Sequence, residues 1–541
     1  MKKFQNILIA LTVSGVLGAF FVHAILPSRL ADTLIQDAAS DNSQTEVSKK
    51  NDQQDSFPSQ HSSSVTQNKK STASSTAKKT NKAQDGLERS NSNPAKIYYA
   101  LAAPNDAQYG AVSFATINAE NAWNVSVGSP EVVVAVLDSG FALNHEDLQA
   151  QWYRNLGESG SGKESDGIDN DNNGYIDDFK GWDFSAADNN PQAGQIDPNG
   201  QGVSHGTEVS GLIGATGNNG RGSTGVAWNT TLLPLQVLSD DGSGYSNDIV
   251  NAIYYAVDQG ADVINMSLGT SGDDPVVRMA IDYAINHNVV VVAAAGNCGN
   301  SALGACAGQT TGYVTFPAAY NKVIAVGAVD AVERRAGFSS YGQRIDVVAP
   351  GSGFLTAPTW SSTTQTNGYS QQLYGTSFSA PIVSGSAALL RSIDSFTPQE
   401  TKALLLASSR KTSRTGNLYS PEYGHGILDV GLAASIAMDY HNAVDTQPPL
   451  LVSAGGIRPE HDIATNNLTS VGCQASAATW CTVLLQNNAL GYDRYLPYKK
   501  TNEVGLADWQ WTGSLLANGR WDITARQNNR YSPGSSFEVR N

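Results

Sequence analysis

The chain has 541 residues, enough for two or three domains. It carries 34 basic against 49 acidic side chains, a formal charge of −15, which argues against a nucleic-acid partner, since that would favour a basic patch. The same balance fits a soluble extracellular protein, and many cytosolic proteins as well.

Met1-Lys2-Lys3 is followed by an apolar run over residues 7–26. A basic start and an apolar core read as a secretory leader, and a run of roughly 20 residues is also long enough to span a bilayer. Residues 1–30 are therefore a signal peptide, with Val22-His23-Ala24 as cleavage site, or a retained N-terminal membrane anchor. Either reading puts the rest outside the cytoplasmic membrane. Residues 31–95 are rich in Ser, Thr, Gln, Asn, Lys and Asp and bury too little apolar surface to offset chain entropy, so a disordered linker is predicted.

Folded structure is predicted from Lys96. Residues 131–137 form an apolar run without alternation, the pattern of a strand buried on both faces. Similar runs recur at 231–238, 261–266, 288–294 and 323–328. Helical patterns lie at 207–215, 246–259 and 275–287, and further helices at 377–392 and 397–408. Strands alternating with helices predict an α/β domain over 96–444, a mostly parallel sheet covered on both sides. Thr397-Pro398-Gln399-Glu400 reads as a helix start, with Thr at the N-cap and Pro at the first helical position. Gln447-Pro448-Pro449 marks a boundary. Beyond it, short alternating runs at 481–485, 509–512, 521–526 and 536–540 predict a small antiparallel β-sandwich-like domain over 447–541. Trp509 and Trp511 share a strand face by alternation, as core residues or as a platform for a glycan. The four cysteines fall into two close pairs, Cys298/Cys306 and Cys473/Cys481. Each is a candidate local disulfide or a pair of free thiols; zinc lacks nearby His partners.

Three motifs carry chemistry. Asp138 ends the first apolar strand, where open α/β sheets place their sites. His205 opens a helix rich in small residues. Ser377, in Gly375-Thr376-Ser377-Phe378-Ser379-Ala380-Pro381, stands at a helix N-terminus, where main-chain N–H groups favour negative charge. Taken singly each has a structural explanation: a turn former, a structural histidine, an N-cap. The order Asp, His, Ser is that of the subtilisin triad.

With these motifs in place the chain resembles the subtilisin-like serine peptidases, the subtilases. Residues 117–123, 145–148 and 424–429 match further family segments, so the resemblance covers about 104–434. It implies a triad of Asp138, His205 and Ser377, with Asn297 and the Ser377 N–H as oxyanion donors. It implies substrate contacts from Ser267, Leu268, Gly269, Ala295 and Gly296, from the edge segment Gly242, Ser243 and Gly244, and from Thr315 on the pocket floor. No acid is expected on that floor, so cleavage after Lys or Arg is disfavoured, with Asp273 and Asp274 near enough in sequence to leave the matter open. The expected function is a secreted or surface-tethered serine endopeptidase acting on protein or peptide. The rival is an inactive subtilase-like binding or adhesion protein, which would have no need of all four residues. Membrane contact is expected only through an uncleaved leader.

Between the Asp and His motifs, residues 166–178 contain D-x-D-x-N-G, the first half of a calcium loop with oxygen ligands at alternate positions. Asp169, Asp171, Asn173 and Tyr175 are the candidate ligands, with Asp177 or Asp178 closing the site because Lys180 stands where the loop would end on Glu. The alternative is a polar turn without metal. The resemblance implies a second calcium site from Asp106, Asp147 and Asn218. Three departures stand out: Ser204 precedes His205 where Gly is usual, Glu208 stands where His or Ala is common, and no folded propeptide is recognisable before Lys96.

Overall fold

A computed structural model describes residues 103–108, 111–194, 204–299, 306, 309–353, 355–361, 366–416, 418–443, 450–452, 462–464, 468–512, 516–527 and 530–540. The leader, the linker and the Gln447-Pro448-Pro449 boundary lie outside the described residues. Helices α1 (Ala111–Thr116) and α2 (Ala119–Trp123) lead into β1 (Val133–Asp138), β2 (Trp182–Asp183), α3 (His205–Gly214), β3 (Thr231–Gln236), α4 (Ser246–Asp258), β4 (Val263–Met266), α5 (Pro275–Asn286), β5 (Val290–Ala294) and β6 (Ile324–Asp330). There follow β7 (Val347–Gly353), the hairpin β8 (Ala357–Ser361) and β9 (Thr366–Ser370), β10 (Leu373–Tyr374), α6 (Thr376–Arg391), α7 (Pro398–Ala407) and α8 (Val430–His441).

Eight strands form one sheet in the order β10-β7-β6-β5-β4-β1-β3-β2, parallel except where β10 meets β7. β1 lies between β4 and β3, so the chain reverses its direction of travel across the sheet there. Such switch points are where open α/β sheets hold ligands. The unbroken apolar runs are explained by the two cores: Val134 and Val136 face one, with α3, α6 and α8, while Ala135 and Leu137 face the other, with α4 and α5. α7 begins with a complete capping box, in which the Thr397 hydroxyl accepts from the Glu400 N–H and the Glu400 carboxylate from the Thr397 N–H. The sequence reading missed β7, whose run is interrupted by Pro350 and Gly351, and the hairpin β8–β9, which is polar.

Beyond residue 449 the strands are β11 (Leu450–Val452), β12 (Asp462–Ala464), β13 (Leu468–Gln474), β14 (Trp480–Asn487), β15 (Tyr492–Tyr495), β16 (Lys499–Lys500), β17 (Leu506–Thr512), β18 (Gly519–Gln527), β19 (Arg530–Tyr531) and β20 (Ser535–Arg540). They form one sheet in the order β11-β13-β17 and another in the order β12-β20-β18-β14-β15. The strands pair antiparallel, as expected, except that β12 pairs with β20 in parallel. Trp509 and Trp521 are buried between these sheets with Val483, Ile523 and Phe537, so both are core residues; the side chain of Trp511 lies outside the described part. Cys298 is bonded to Cys306 and Cys473 to Cys481, as local pairs.

The C-terminal strands are seated on the α/β sheet's own core, to which Leu484, Tyr495 and Tyr498 belong. The Arg494 guanidinium lies 3.5 Å from the Tyr419 ring centre and donates to the Gln343 carbonyl and side chain. The Tyr495 N–H donates to His425 Nε2 at 2.9 Å.

Candidate active site

Asp138 is the last residue of β1 and is fully buried. His205 is the first residue of α3, and its Nδ1 lies 2.7 Å from Asp138 Oδ1. The two can approach because Gly206 has no side chain: a Cβ there would lie 2.4 Å from the Gly140 carbonyl and 3.1 Å from Asp138 Cβ. The α3 helix is pinned further by the Thr207 hydroxyl, which accepts from the Ala142 N–H. The imidazole is a quarter exposed. Burial opposes its protonation, but the charge and hydrogen bond of Asp138, with the charge of Glu208, outweigh burial and hold its pKa above the ordinary value. Glu208 itself is pushed up to about 7, mainly by burial, against the charge of His205 and a hydrogen bond from Thr359.

Ser377 is the second residue of α6, whose N-terminus is brought to that of α3 by Phe378; its ring centre lies 5.4 Å from that of His205. Asn297 lies just beyond β5. Its Oδ1 accepts from both the N–H and the hydroxyl of Thr376, at 3.0 and 3.1 Å, and the Thr376 hydroxyl accepts in turn from the Gly296 N–H. Because the carbonyl end of the Asn297 amide is occupied, its orientation is set and its NH2 is the end left to donate.

Ser377 and Asn297 both line a slot of about 240 Å³ with Ser267, Leu268, Gly269, Ala294, Gly296 and Thr315. Thr315 is 1% exposed and lies between two glycines: a Cβ on Gly269 would come within 2.5 Å of its Oγ1, and one on Gly296 within 2.7 Å of its Cγ2. No charged side chain lines this slot among the described residues. The side chain of Ala295 is fully buried, its carbonyl accepting from the Thr315 N–H, and Ala294 lines the slot. A larger groove of about 480 Å³ adjoins the slot through Ser267, Leu268 and Gly269 and is lined by Gly242, Ser243, Gly244, His205, Ile249 and Tyr320. Asp274 lines this groove but is turned to cap α5, accepting from the Val276 N–H; Asp273 pairs with Arg278 at 3.0 Å.

The acidic loop gathers differently from its spacing. Carboxylate oxygens of Glu158, Asp169 and Asp171 lie within 4.8 Å of one another. Glu158 was missed because it stands well upstream of the D-x-D-x-N-G pattern. Asp171 reaches it over Gly157, where any Cβ would lie 2.4 Å from Asp171 Cβ. Asp178 and Asp177 are not members of this cluster. Asp178 is fully buried and accepts from Tyr255, Asn155 and Asn173, while Asp177 accepts from the Gly167 N–H. Tyr175 packs its ring against Trp182, Phe184 and Tyr255, and the Asn173 side-chain oxygen accepts from the Tyr175 N–H. The Glu158 cluster fits a hard cation: all three donors are carboxylate oxygens, Glu158 is fully buried, and among the described residues no basic side chain pairs with any of them. The residues of the second expected site are also brought together. Asp106 accepts from the N–H groups of Asn218 and Asn219, and Asp147 from the Asn219 side chain.

Residues 129–426 match the Subtilase family. Over 350 residues the chain is 35% identical to halolysin of Haloferax mediterranei, covering 64% of this chain and 56% of that protein. Over 302 residues it is 38% identical to the thermophilic serine proteinase of Bacillus sp. AK1, covering 55% and 62%. Over 319 residues it is 34% identical to thermitase of Thermoactinomyces vulgaris, covering 59% and 95%. The chain thus spans less than two thirds of the length of the first two of these relatives.

Proposed function

The chain belongs to the subtilase family, and from that premise we propose that it is a serine endopeptidase hydrolysing protein or peptide substrates through an acyl-enzyme. The observation that carries this reading is the 2.7 Å bond between His205 and buried Asp138 beside a slot that holds Ser377 and Asn297. A serine hydroxyl is a poor nucleophile near neutral pH and needs an adjacent base. His205 takes the Ser377 proton as Oγ attacks the scissile carbonyl, then returns it to the leaving amine. Asp138 fixes the imidazole with its proton on Nδ1 and stabilises the imidazolium. The oxyanion is met by the Asn297 NH2 and the Ser377 N–H, donors oriented before charge develops. The polypeptide lies extended along the groove past Gly242, Ser243 and Gly244, and the side chain before the scissile bond enters the slot over Thr315.

The same reading makes the protein secreted or surface-tethered, on the strength of residues 1–30 at sequence level. Calcium is the proposed structural cation, held by Glu158, Asp169 and Asp171, with Asp106, Asp147 and the Asn218 loop as a second site. It lends no atom to acyl transfer. Residues 447–541 are proposed as an appended β-domain. The rival reading, an inactive surface binder, is disfavoured because Asn297 is oriented for donation. The test is a fluorophosphonate probe and a casein assay on the wild type, Ser377→Ala and Asn297→Ala. The wild type should label and digest. Ser377→Ala should do neither, with a loss of about 10⁶ in turnover, as known for this nucleophile in subtilisin. Asn297→Ala should lose about 10²–10³ in kcat, again a figure set by subtilisin. A wild type that neither labels nor digests is a binder.

A further inference from the structure

Glu208 stands one helical turn after His205 on α3, a spacing that puts two side chains on one face with Cβ atoms about 5–6 Å apart. Its carboxylate is held in place. The Thr359 hydroxyl of β8 donates to Glu208 Oε1 at 3.0 Å, and the same hydroxyl meets Ser204 Oγ at 2.5 Å. Ser204 directly precedes His205, so one threonine grips the helix turn that carries the imidazole on both of its sides. β8 can lie this close because of Gly211, where a Cβ would come within 2.1 Å of Pro358 Cδ. Among the described residues no lysine or arginine pairs with Glu208.

We propose that Glu208 is a second acid serving His205: a positioning residue, anchored by Thr359, whose negative charge favours the imidazolium and so sets the pH at which the enzyme becomes active. The inference rests on the triad reading and deepens it. Among the described residues, the charged groups facing His205 are Asp138 from β1 and Glu208 from its own helix. From α6 the uncharged Phe378 packs against the ring, and Thr359 of β8, which holds Ser204 and Glu208, is uncharged as well. Glu208 in turn faces His205, Asp138 and Thr359. Burial pushes Glu208 up to about 7, and the charge of each group acts on the other, so the two lose protons as a coupled pair. Protonated His205 cannot accept the Ser377 proton, so activity falls as pH falls through the apparent pKa of that pair. An ionised Glu208 moves this fall to higher pH; without it the fall moves to lower pH.

The test compares kcat/KM against pH for the wild type, Glu208→Gln and Thr359→Val, together with the His205 ring-proton titration by NMR in Ser377→Ala protein with and without Glu208→Gln. Glu208→Gln should lower the acid limb and the His205 titration by about 0.5–1 pH unit, the size of one charge at this spacing in a partly exposed site. Thr359→Val removes a bond that favours the ionised carboxylate, so it should shift the limb the same way by less. Superimposable limbs and an unmoved His205 titration would overturn the proposal, as would a uniform loss of rate at every pH. Should Glu208→Gln not fold, Thr359→Val alone decides it. The triad reading fails separately, if His205→Ala retains activity with the wild-type acid limb.

Discussion

Ser267 Oγ donates to the main-chain carbonyl of Ser377 at 2.8 Å, filling a place the helix leaves empty. That carbonyl would ordinarily accept from the residue four positions on, which is Pro381, and proline has no N–H. Ser267 is itself held by Asn265 Nδ2 at 3.1 Å, and Asn265 Oδ1 accepts from Ser384 further along α6. The nucleophile's helix is thereby registered against β4 through buried polar groups.

Ser267→Ala should therefore leave a partly buried carbonyl unmet. A bond of this kind is worth about 0.5–1.5 kcal/mol, so stability should fall by that order and kcat by roughly 2–10-fold. Ser267→Ala and Ser384→Ala should be less than additive, since both break one chain. Additive losses in denaturant unfolding would show that the network does not act as a unit.

Among the described residues the slot over Thr315 has no charged lining, and the two nearby acids are committed elsewhere, Asp274 to the start of α5 and Asp273 to Arg278. Apolar residues before the scissile bond should be cut faster than Lys or Arg. Thr315→Asp should raise the relative rate on Lys and Arg substrates by tenfold or more, because a buried carboxylate is stabilised by a cationic partner. A peptide-library profile led by basic residues in the wild type would overturn this.

Calcium should act on stability rather than on the chemical step. A ligand that binds only the folded state adds about 2.7 kcal/mol at a hundred times its dissociation constant. Chelation should lower the Tm and hasten autolysis, leaving initial kcat nearly unchanged. Glu158→Gln should blunt the response of Tm to calcium, because Glu158 joins Asp169 and Asp171. Identical melting in calcium and in chelator would leave the loop an ordinary polar turn.

His425 gives the molecule an acid-sensitive junction. Its Nε2 accepts from the Tyr495 N–H, which places its proton on Nδ1, facing the Asp346 carbonyl at 2.9 Å. Burial, then the charges of Lys411 and Arg494, hold its pKa well below the ordinary value. The unfolded chain thus takes up the proton at higher pH than the folded one, and stability falls as pH drops below about 6.5. His425→Gln should flatten the slope of unfolding free energy below about pH 6.5. His205, shifted the opposite way, is common to both proteins, so the difference isolates His425. Equal slopes would show that the ring does not titrate in this range.

Much of this protein is determined locally. Buried parallel strands announce themselves as unbroken apolar runs because both faces are covered, which is why 131–137 and 288–294 lie so near β1 and β5. Helix starts are equally local, since Thr397 and Glu400 are three residues apart. The residues at Asp138, His205 and Ser377 stand out because each ends a strand or begins a helix. What only the tertiary structure decided are relationships across the chain. Ser267 meets a carbonyl 110 residues away, Thr359 a carboxylate 151 residues away, and Tyr495 a ring 70 residues away. Likewise Glu158, well upstream of the motif, joins Asp169 and Asp171, while Asp178, much nearer to it, turns to Tyr255. Spacing along a chain reports which side chains share a face, but partners from distant segments are chosen by how the layers pack, and that packing is settled only when the whole core closes.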